Sequence, residues 1–277
     1  GKPLDFQVVD VSDDPVMLAP ERVIAEEART PFDLASGPHF RVRLLCVGPR
    51  EHVLVVSVHH IVWDAWSTSI MVREISALCR GANAAVLPEP GVGYADVALW
   101  EAGQADSDDF RRQIDFWRRE LAAPLPVLAL PTEGTIDDSE VIEGARAPLA
   151  VDPAVAAGFR DVCTAERATT FMGYLAAWKV LLQWWCRQQD VVVGVPAGHR
   201  AHPQLENTIG FLVNSLAIRT RFTGDPTFTD VLREVREKAL EAYANQDVPF
   251  DHVVQAVRPE RRAGESAPVY RTWFLLE

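Results

Sequence analysis

Val53-Leu-Val-Val-Ser-Val-His59-His60-Ile-Val-Trp63-Asp64-Ala65-Trp66-Ser67 is the stretch on which the reading of this chain turns. It opens as an apolar, β-branched run, the composition of a buried strand. It then delivers two adjacent histidines, an aspartate and a serine within nine residues. A hydrophobic strand that ends in titratable groups holds them on a rigid support at the rim of a cleft. The spacing is HHxxxD. A metal-binding helix sets its histidines four apart, as in HExxH, whereas neighbours on a strand point to opposite faces. The pattern therefore predicts one catalytic and one structural imidazole, and no metal site. Two ordinary strand-end histidines are the competing reading, and the rest of the chain weighs against it.

Upstream, Phe40 to Val47 reads as a strand and Gly48-Pro49-Arg50-Glu51 as a turn, so with Val53 to His60 it makes a hairpin. Phe6 to Val11 is a further short strand. Leu18 to Ala28 is a helix, opened by Pro20 and favoured by early acidic residues. Downstream, Ile70, Val72, Ile75 and Leu78 give Trp66–Leu78 a helical period, with Asp64 or Ser67 as the cap. Tyr94 to Trp100 starts another helix, and both aromatics are expected in the core. Asp109 to Leu121 is amphipathic, with Phe110, Ile114, Trp117 and Leu121 on its packed face.

Pro124 to Pro131 is Pro-rich and leads into an acidic stretch, Thr132 to Glu143, which marks a lobe boundary. The expected lobes are 1–130 and 131–277. In the second, Arg146–Val151 reads as a strand, Pro153–Arg167 as a helix, and Thr169-Thr170 as the cap of a long apolar helix ending at Trp185. Asp190–Val195 is an apolar strand buried on both faces. Pro196 to Glu206 is a loop in which His199 and His202, expected to be exposed, flank Arg200. A turn and strand cover Ile209 to Arg219. Phe228–Ala244 and Phe250–Val257 are helices, and Val269–Leu276 is a final strand. Strands and helices mix without a strict βαβ rhythm, so the fold class is α+β in two lobes.

The 277 residues suit two lobes. Net charge is −12 with no basic stripe, which argues against nucleic acid or an anionic membrane surface as partner. No apolar run reaches the length of a membrane span, and no secretory-leader pattern is seen. Cys46, Cys79, Cys163 and Cys186 are scattered without a CxxC, as reduced thiols in a cytoplasmic protein would be, with Cys46 and Cys186 read as core. GxGxxG and P-loop patterns are absent, so nicotinamide and nucleotide chemistry lose their support. The start at Gly1 and the apolar end at Trp273-Phe-Leu-Leu suggest a segment of something larger.

The motifs, taken together, resemble the condensation domains of nonribosomal peptide synthetases, relatives of chloramphenicol acetyltransferase. His59-His60-Ile-Val-Trp63-Asp64-Ala65 is similar to their HHxxxDG signature, and Tyr94-Ala-Asp96-Val-Ala-Leu-Trp100 to YxDYAxW. Ile209-Gly210-Phe-Leu-Val-Asn214-Ser-Leu resembles IGxFVNTL. Asn245-Gln-Asp-Val-Pro-Phe-Asp251 resembles (H/N)QDxPFE, and Pro31-Phe-Asp-Leu34 with Gly37-Pro38 fits PFDLxxGP. Each is short, but they come in the family's order over nearly the whole chain. The two motifs that precede HHxxxDG in the family are missing, and Arg262 to Val269 keeps only the outline of RDxSRNPL, with Arg262 and Pro268 in register.

The resemblance implies two acetyltransferase-like lobes forming a V around a central tunnel, incomplete at both ends here. It implies peptide-bond formation between a donor acyl or peptidyl thioester and an acceptor aminoacyl amine. Both would ride 4′-phosphopantetheine arms of donor and acceptor peptidyl carrier proteins, beside an adenylation domain of the same synthetase. It implies no cofactor bound by the domain itself. His60 matches the catalytic histidine, as base or orienting partner of the amine, and His59 packs away. Asp64 is either a direct base or, as in the family, a structural partner of Arg200, a pairing that is bidentate and orienting. Trp63, Ser67, Gly210 and Asn214 are candidate tunnel residues, with turn and cap roles the competing reading for Gly210 and Asn214. Ala65 stands where the family has glycine, which strains the backbone only if that position needs positive φ. Trp63 is bulkier than usual and is expected to narrow the cleft toward a small acceptor. An epimerisation domain and a non-catalytic domain that recruits a partner enzyme share this fold. The Asn-Gln-Asp-Val-Pro-Phe segment favours condensation over epimerisation, and intact histidines disfavour recruitment.

Overall fold

The β-branched runs of the first hundred residues form a three-stranded sheet in the computed structural model, which describes residues 3–12, 19–83, 86–89, 91–131, 145–200, 202–257 and 269–276. Its strands are Asp5–Asp10 (β1), Phe40–Gly48 (β2) and Glu51–Val58 (β3), in the order β1-β2-β3. The expected hairpin is β2–β3, antiparallel, with Phe40 opposite Val58 and Leu44 opposite Leu54. β1 lies parallel to β2, which the sequence alone did not foretell. A parallel pair needs a crossover, and Ala19–Arg29 (α1) supplies it. Arg41 and Arg43 are buried in this sheet and both bond the Glu27 carboxylate of α1, at 2.9 and 2.7 Å. Buried cations demand such partners, so the pairing fixes α1 on the sheet.

The strand ends at Val58, two residues before the sequence reading placed its end. His60–Val62 is a 3-10 turn, and Ala65–Cys79 (α2) follows with Asp64 as its N-cap. Tyr94–Gln104 (α3) and Asp108–Glu120 (α4) come next, α4 capped by Ser107. Then Pro153–Ala165 (α5) and Thr170–Cys186 (α6, capped by Thr169) lead into Asp190–Gly198 (β4). Val213–Arg221 (β5) pairs antiparallel with β4, Val193 opposite Ile218. Phe228–Tyr243 (α7) and Phe250–Val257 (α8) complete the elements. Leu175, Leu182, Val191, Val193, Leu216, Ile218, Leu232 and Val235 form the centre of this second core.

Two expected strands are corrected. Residues 146–151 are exposed and carry no ladder, because an extended segment becomes a strand only with a partner. Val269–Leu276 makes a single bridge, Trp273 to Gly194, with two backbone bonds beside β4. Cys163 is the core cysteine, while Cys46 and Cys186 are half-buried. The acidic stretch 132–143, Leu18, Arg262 and Pro268 lie outside the described residues.

Contacts divide the chain into two compact units, Gly1–Trp100 with Arg200–Leu212, and Glu101–His199 with Val213–Glu277. This is not the 1–130 and 131–277 split expected from composition. The Pro-rich segment belongs to the second core: Leu128 is buried, and Arg219 donates to the carbonyls of Ala122 and Pro124 at 2.7 and 2.8 Å. Proline there makes a strap that exposes its carbonyls to one buried guanidinium, not a linker.

Lys179 of α6 is fully buried, with Nζ donating to the Ile218 carbonyl at 2.6 Å and to Thr220 Oγ1 at 3.0 Å. Burial drives its amine down to about 7, against the pull of Glu234, Asp190 and Glu120. From about pH 7 to the ordinary lysine value near 10.4, the unfolded chain carries a proton the folded one has shed. Stability from this residue therefore rises with pH in that window. Urea unfolding from pH 6 to 9 should show wild type gaining on Lys179→Met above pH 7, by up to about 1.4 kcal/mol per pH unit. Parallel curves for the two proteins would refute this.

Candidate active site

The site grows from the end of β3. His59 keeps an extended backbone, and its Nδ1 accepts from Ile61 N–H at 3.1 Å, capping the 3-10 turn. Its ring meets Phe32 edge-on at 6.0 Å. Both contacts tie His59 to its own turn and to Phe32. His60 begins the turn and is exposed. Its Nδ1 lies 2.5 Å from the Trp63 carbonyl oxygen. A carbonyl only accepts, so Nδ1 carries the hydrogen, and the lone pair of the neutral ring sits on Nε2. Among the described residues Nε2 has no hydrogen-bond partner. The exposed turn thus presents a basic nitrogen on a held ring.

Asp64 is 2% exposed and extended. Its Oδ1 accepts from Ser67 N–H at 2.8 Å and Arg200 Nη2 at 3.1 Å. Its Oδ2 accepts from Arg200 Nη1 at 2.5 Å and Leu212 N–H at 3.0 Å. Burial pushes this carboxyl up, but the bonds from Arg200, Ser67 and Leu212 outweigh it and hold the group below the usual carboxylate range. Four N–H donors occupy its lone pairs, which leaves nothing with which to take a proton from substrate. The geometry therefore favours the structural reading of Asp64 over the direct base.

Ser67 is fully buried, so its side chain lines no open surface. Its hydroxyl accepts from Gly210 N–H at 3.0 Å and lies 2.8 Å from Asp64 Oδ1. Gly210 has a steric reason to be glycine: an added Cβ would come within 2.5 Å of the Tyr94 ring. Ala65 is the first residue of α2, and Arg167 and Arg187 are the non-glycine residues with positive φ among those described. Alanine is therefore unstrained at this position. Trp63 rests on Phe40, ring centroids 5.6 Å apart, and its Nε1 donates to Thr68 Oγ1 at 2.9 Å. These contacts explain it as packing and give no support to a narrowing role.

Three residues at the His60 turn and the 208–212 segment were given no site role by sequence reasoning. Phe211 meets the His60 ring at 4.9 Å and 77°. Tyr94 Oη donates to the Ile61 carbonyl at 3.2 Å, inside the histidine turn. Thr208 Oγ1 donates to the Val92 carbonyl at 2.8 Å, tying the 208–212 segment down. Only the YxDYAxW resemblance marked Tyr94, and there it read as core. Trp100, also expected in the core, is 54% exposed and borders a cavity of about 320 Å³ with Val92, Val97, His202 and Leu205.

In the second unit, Asn214 Nδ2 donates to the carbonyls of Gln246 and Val248, both at 2.7 Å, and Oδ1 accepts from Phe250 N–H at 3.1 Å. It staples the Asn245–Phe250 turn, the cap role weighed against tunnel lining. His199 is mostly buried, not exposed as expected. Its Nδ1 bonds Glu101 at 3.0 Å, which raises the imidazole above its ordinary value against burial, with Asp247 adding to the rise. His202 is exposed. Among the described residues no group of three metal-binding side chains forms, and no helix is long and apolar enough to cross a membrane.

The family model described as "Condensation domain" matches residues 2–274. A linear gramicidin synthase polypeptide of Brevibacillus parabrevis is 36% identical over 92% of the chain, which spans 5% of that protein's length. The condensation domain of the Monacolin K polyketide synthase MokA superposes with a TM-score of 0.80 at 25% identity, covering 97% of this chain and 62% of that one. The X-domain solved in complex with OxyB from teicoplanin biosynthesis gives 0.77 at 26%, covering 98% and 60%.

Proposed function

Because the chain belongs to the condensation-domain family, we propose that it joins a donor acyl or peptidyl thioester to the amine of an acceptor aminoacyl thioester. The observation that carries the reading is His60, exposed, with Nδ1–H fixed on the Trp63 carbonyl and Nε2 open to a substrate amine. A thioester is already activated, so no enzyme nucleophile is needed. The amine nitrogen attacks the thioester carbonyl carbon, a C–N bond forms, and the C–S bond breaks. The proton shed by nitrogen passes by way of His60 Nε2 to the departing sulfur. Orientation of the amine and acceptance of its proton are the two services an imidazole offers here.

The substrates would arrive on 4′-phosphopantetheine arms of donor and acceptor carrier proteins, beside an adenylation domain. A relative of this fold is a four-domain nonribosomal peptide synthetase bound to AMP and glycine, and the reading borrows its partners from such assemblies. Asp64, Ser67, Gly210 and Arg200 would serve as the frame of the site and Asn214 as the frame of the Asn245–Phe250 turn, not as substrate contacts.

The likeness to an X-domain held with OxyB favours a second reading, recruitment of a partner enzyme. The test uses donor and acceptor carriers, each loaded, and intact-protein mass spectrometry. Transfer of the donor group to the acceptor is the expected result. Deuterium exchange at the donor α-carbon without transfer would instead mean epimerisation. A folded protein that does neither would hand the case to recruitment.

A further inference from the structure

Phe211 and Tyr94 fall outside every role assigned so far, yet both press on the turn that carries His60. The Phe211 ring stands against the imidazole at 4.9 Å, close to perpendicular, and is itself 37% exposed. Edge-to-face pairs of this kind have a preferred geometry and resist rotation of either ring. The imidazole is pinned at its other side by the bond to the Trp63 carbonyl. Tyr94 works one step further back. Its hydroxyl holds the Ile61 carbonyl, and its ring fills the space that glycine leaves at position 210, next to Phe211. One tyrosine thus touches both the histidine turn and the segment that aims Phe211. The Gly210 N–H and carbonyl are in turn held at Ser67 Oγ, so the segment is anchored from below as well. In the motif resembling IGxFVNTL, Phe211 occupies the open position.

We propose that Phe211 and Tyr94 form a clamp that sets the direction of His60 Nε2, Phe211 as a positioning residue on the ring and Tyr94 on its backbone. The consequence for catalysis rests on the acyl-transfer reading; the geometric claim does not. A ring held at one edge only by a hydrogen bond swings about χ2, a broad torsion. Phe211 removes that freedom. Misplacing a reacting group by about an ångström costs up to about 100-fold in rate.

The experiment follows the His60 ring by ¹⁵N NMR in the whole protein, with the resonances assigned by their loss in His60→Gln. In wild type Nε2 should show the bare-nitrogen shift and Nδ1 the protonated one. Phe211→Leu should move and broaden these signals as the ring gains freedom, and Tyr94→Phe should shift them less. In parallel, acyl transfer between loaded carriers should show kcat falling about tenfold in Phe211→Leu with KM within about twofold. Phe211→Tyr, which keeps the ring, should recover most of that loss. Melting curves identify a variant that has simply unfolded, and Tyr94→Phe, which removes the hydroxyl bond to Ile61, then carries the comparison. Unchanged His60 signals in folded Phe211→Leu and Tyr94→Phe would overturn the clamp. If wild type transfers nothing, the acyl-transfer reading fails, and the NMR shifts still decide the clamp.

Discussion

Arg200→Ala is expected to cost about 3–5 kcal/mol of stability, the range for breaking one side of a buried ion pair. The residue does more than neutralise Asp64. Its two terminal nitrogens meet both carboxylate oxygens, and Nη2 also reaches the Thr208 carbonyl at 3.1 Å. Removing it leaves a carboxylate that is 2% exposed without its counter-charge. The same carboxylate caps α2 and holds Leu212 N–H, so the loss spreads to the helix start and to the 208–212 segment. Asp64→Asn should be damaging in the same direction, since an amide cannot accept at all four sites. The pH sign follows from the lowered carboxyl. A depressed carboxylate stabilises above its unfolded value near 3.9, and that contribution disappears as pH falls through the folded value. Wild type should therefore lose stability relative to Arg200→Ala below about pH 4. Urea midpoints at pH 7 and pH 3 measure both effects. Wild-type melting in Arg200→Ala would sink the structural reading of the pair.

The second large effect concerns His60. Its replacement by alanine should lower acyl transfer by about 100- to 10,000-fold, the usual yield of a positioned acid–base group. Stability should stay within about 0.5 kcal/mol, because the side chain is exposed and its ring contact is with Phe211. His59→Ala should show the opposite split. Its imidazole caps the turn through Ile61 N–H and faces Phe32, so stability falls by about 1 kcal/mol while much of the transfer survives. Comparing the two variants by intact-protein mass and by melting separates a reacting imidazole from a structural one. Equal losses of transfer at both positions with intact folds would reject the assignment of His60.

The sequence suggested a contrast between the two histidines; the hydrogen bonds that distinguish their rings were not legible in it. Alternation on a strand suggested opposite faces, but β3 stops at Val58 and a 3-10 turn intervenes. What separates the rings is hydrogen bonding: His59 accepts inside the turn and His60 donates out of it to Trp63. A local pattern of residue types cannot show which nitrogen a later carbonyl will reach. Arg200 was found through its motif position after Pro196, and the pair with Asp64 is present. Phe211 could not be found, because a phenylalanine in an open motif position carries no signal until the chain folds it against His60.

By itself the sequence determined the α+β class, the β2–β3 hairpin, the helices around Trp117 and Leu175, and the family, because periodicity, caps and ordered motifs are local. Tertiary structure decided the rest. It drew Pro124–Pro131 into the second core, since Arg219 needs carbonyls from distant residues. It turned His199 from an exposed loop residue into a partner of Glu101 and Asp247. It denied strands to residues 146–151, for which no partner strand is present among the described residues. It also gave Ser67 and Asn214 backbone partners far away in the chain, because a polar side chain in the interior goes where unpaired backbone groups need it. Each of these outcomes depends on groups far apart in the chain, and only the folded arrangement brings them within bonding distance.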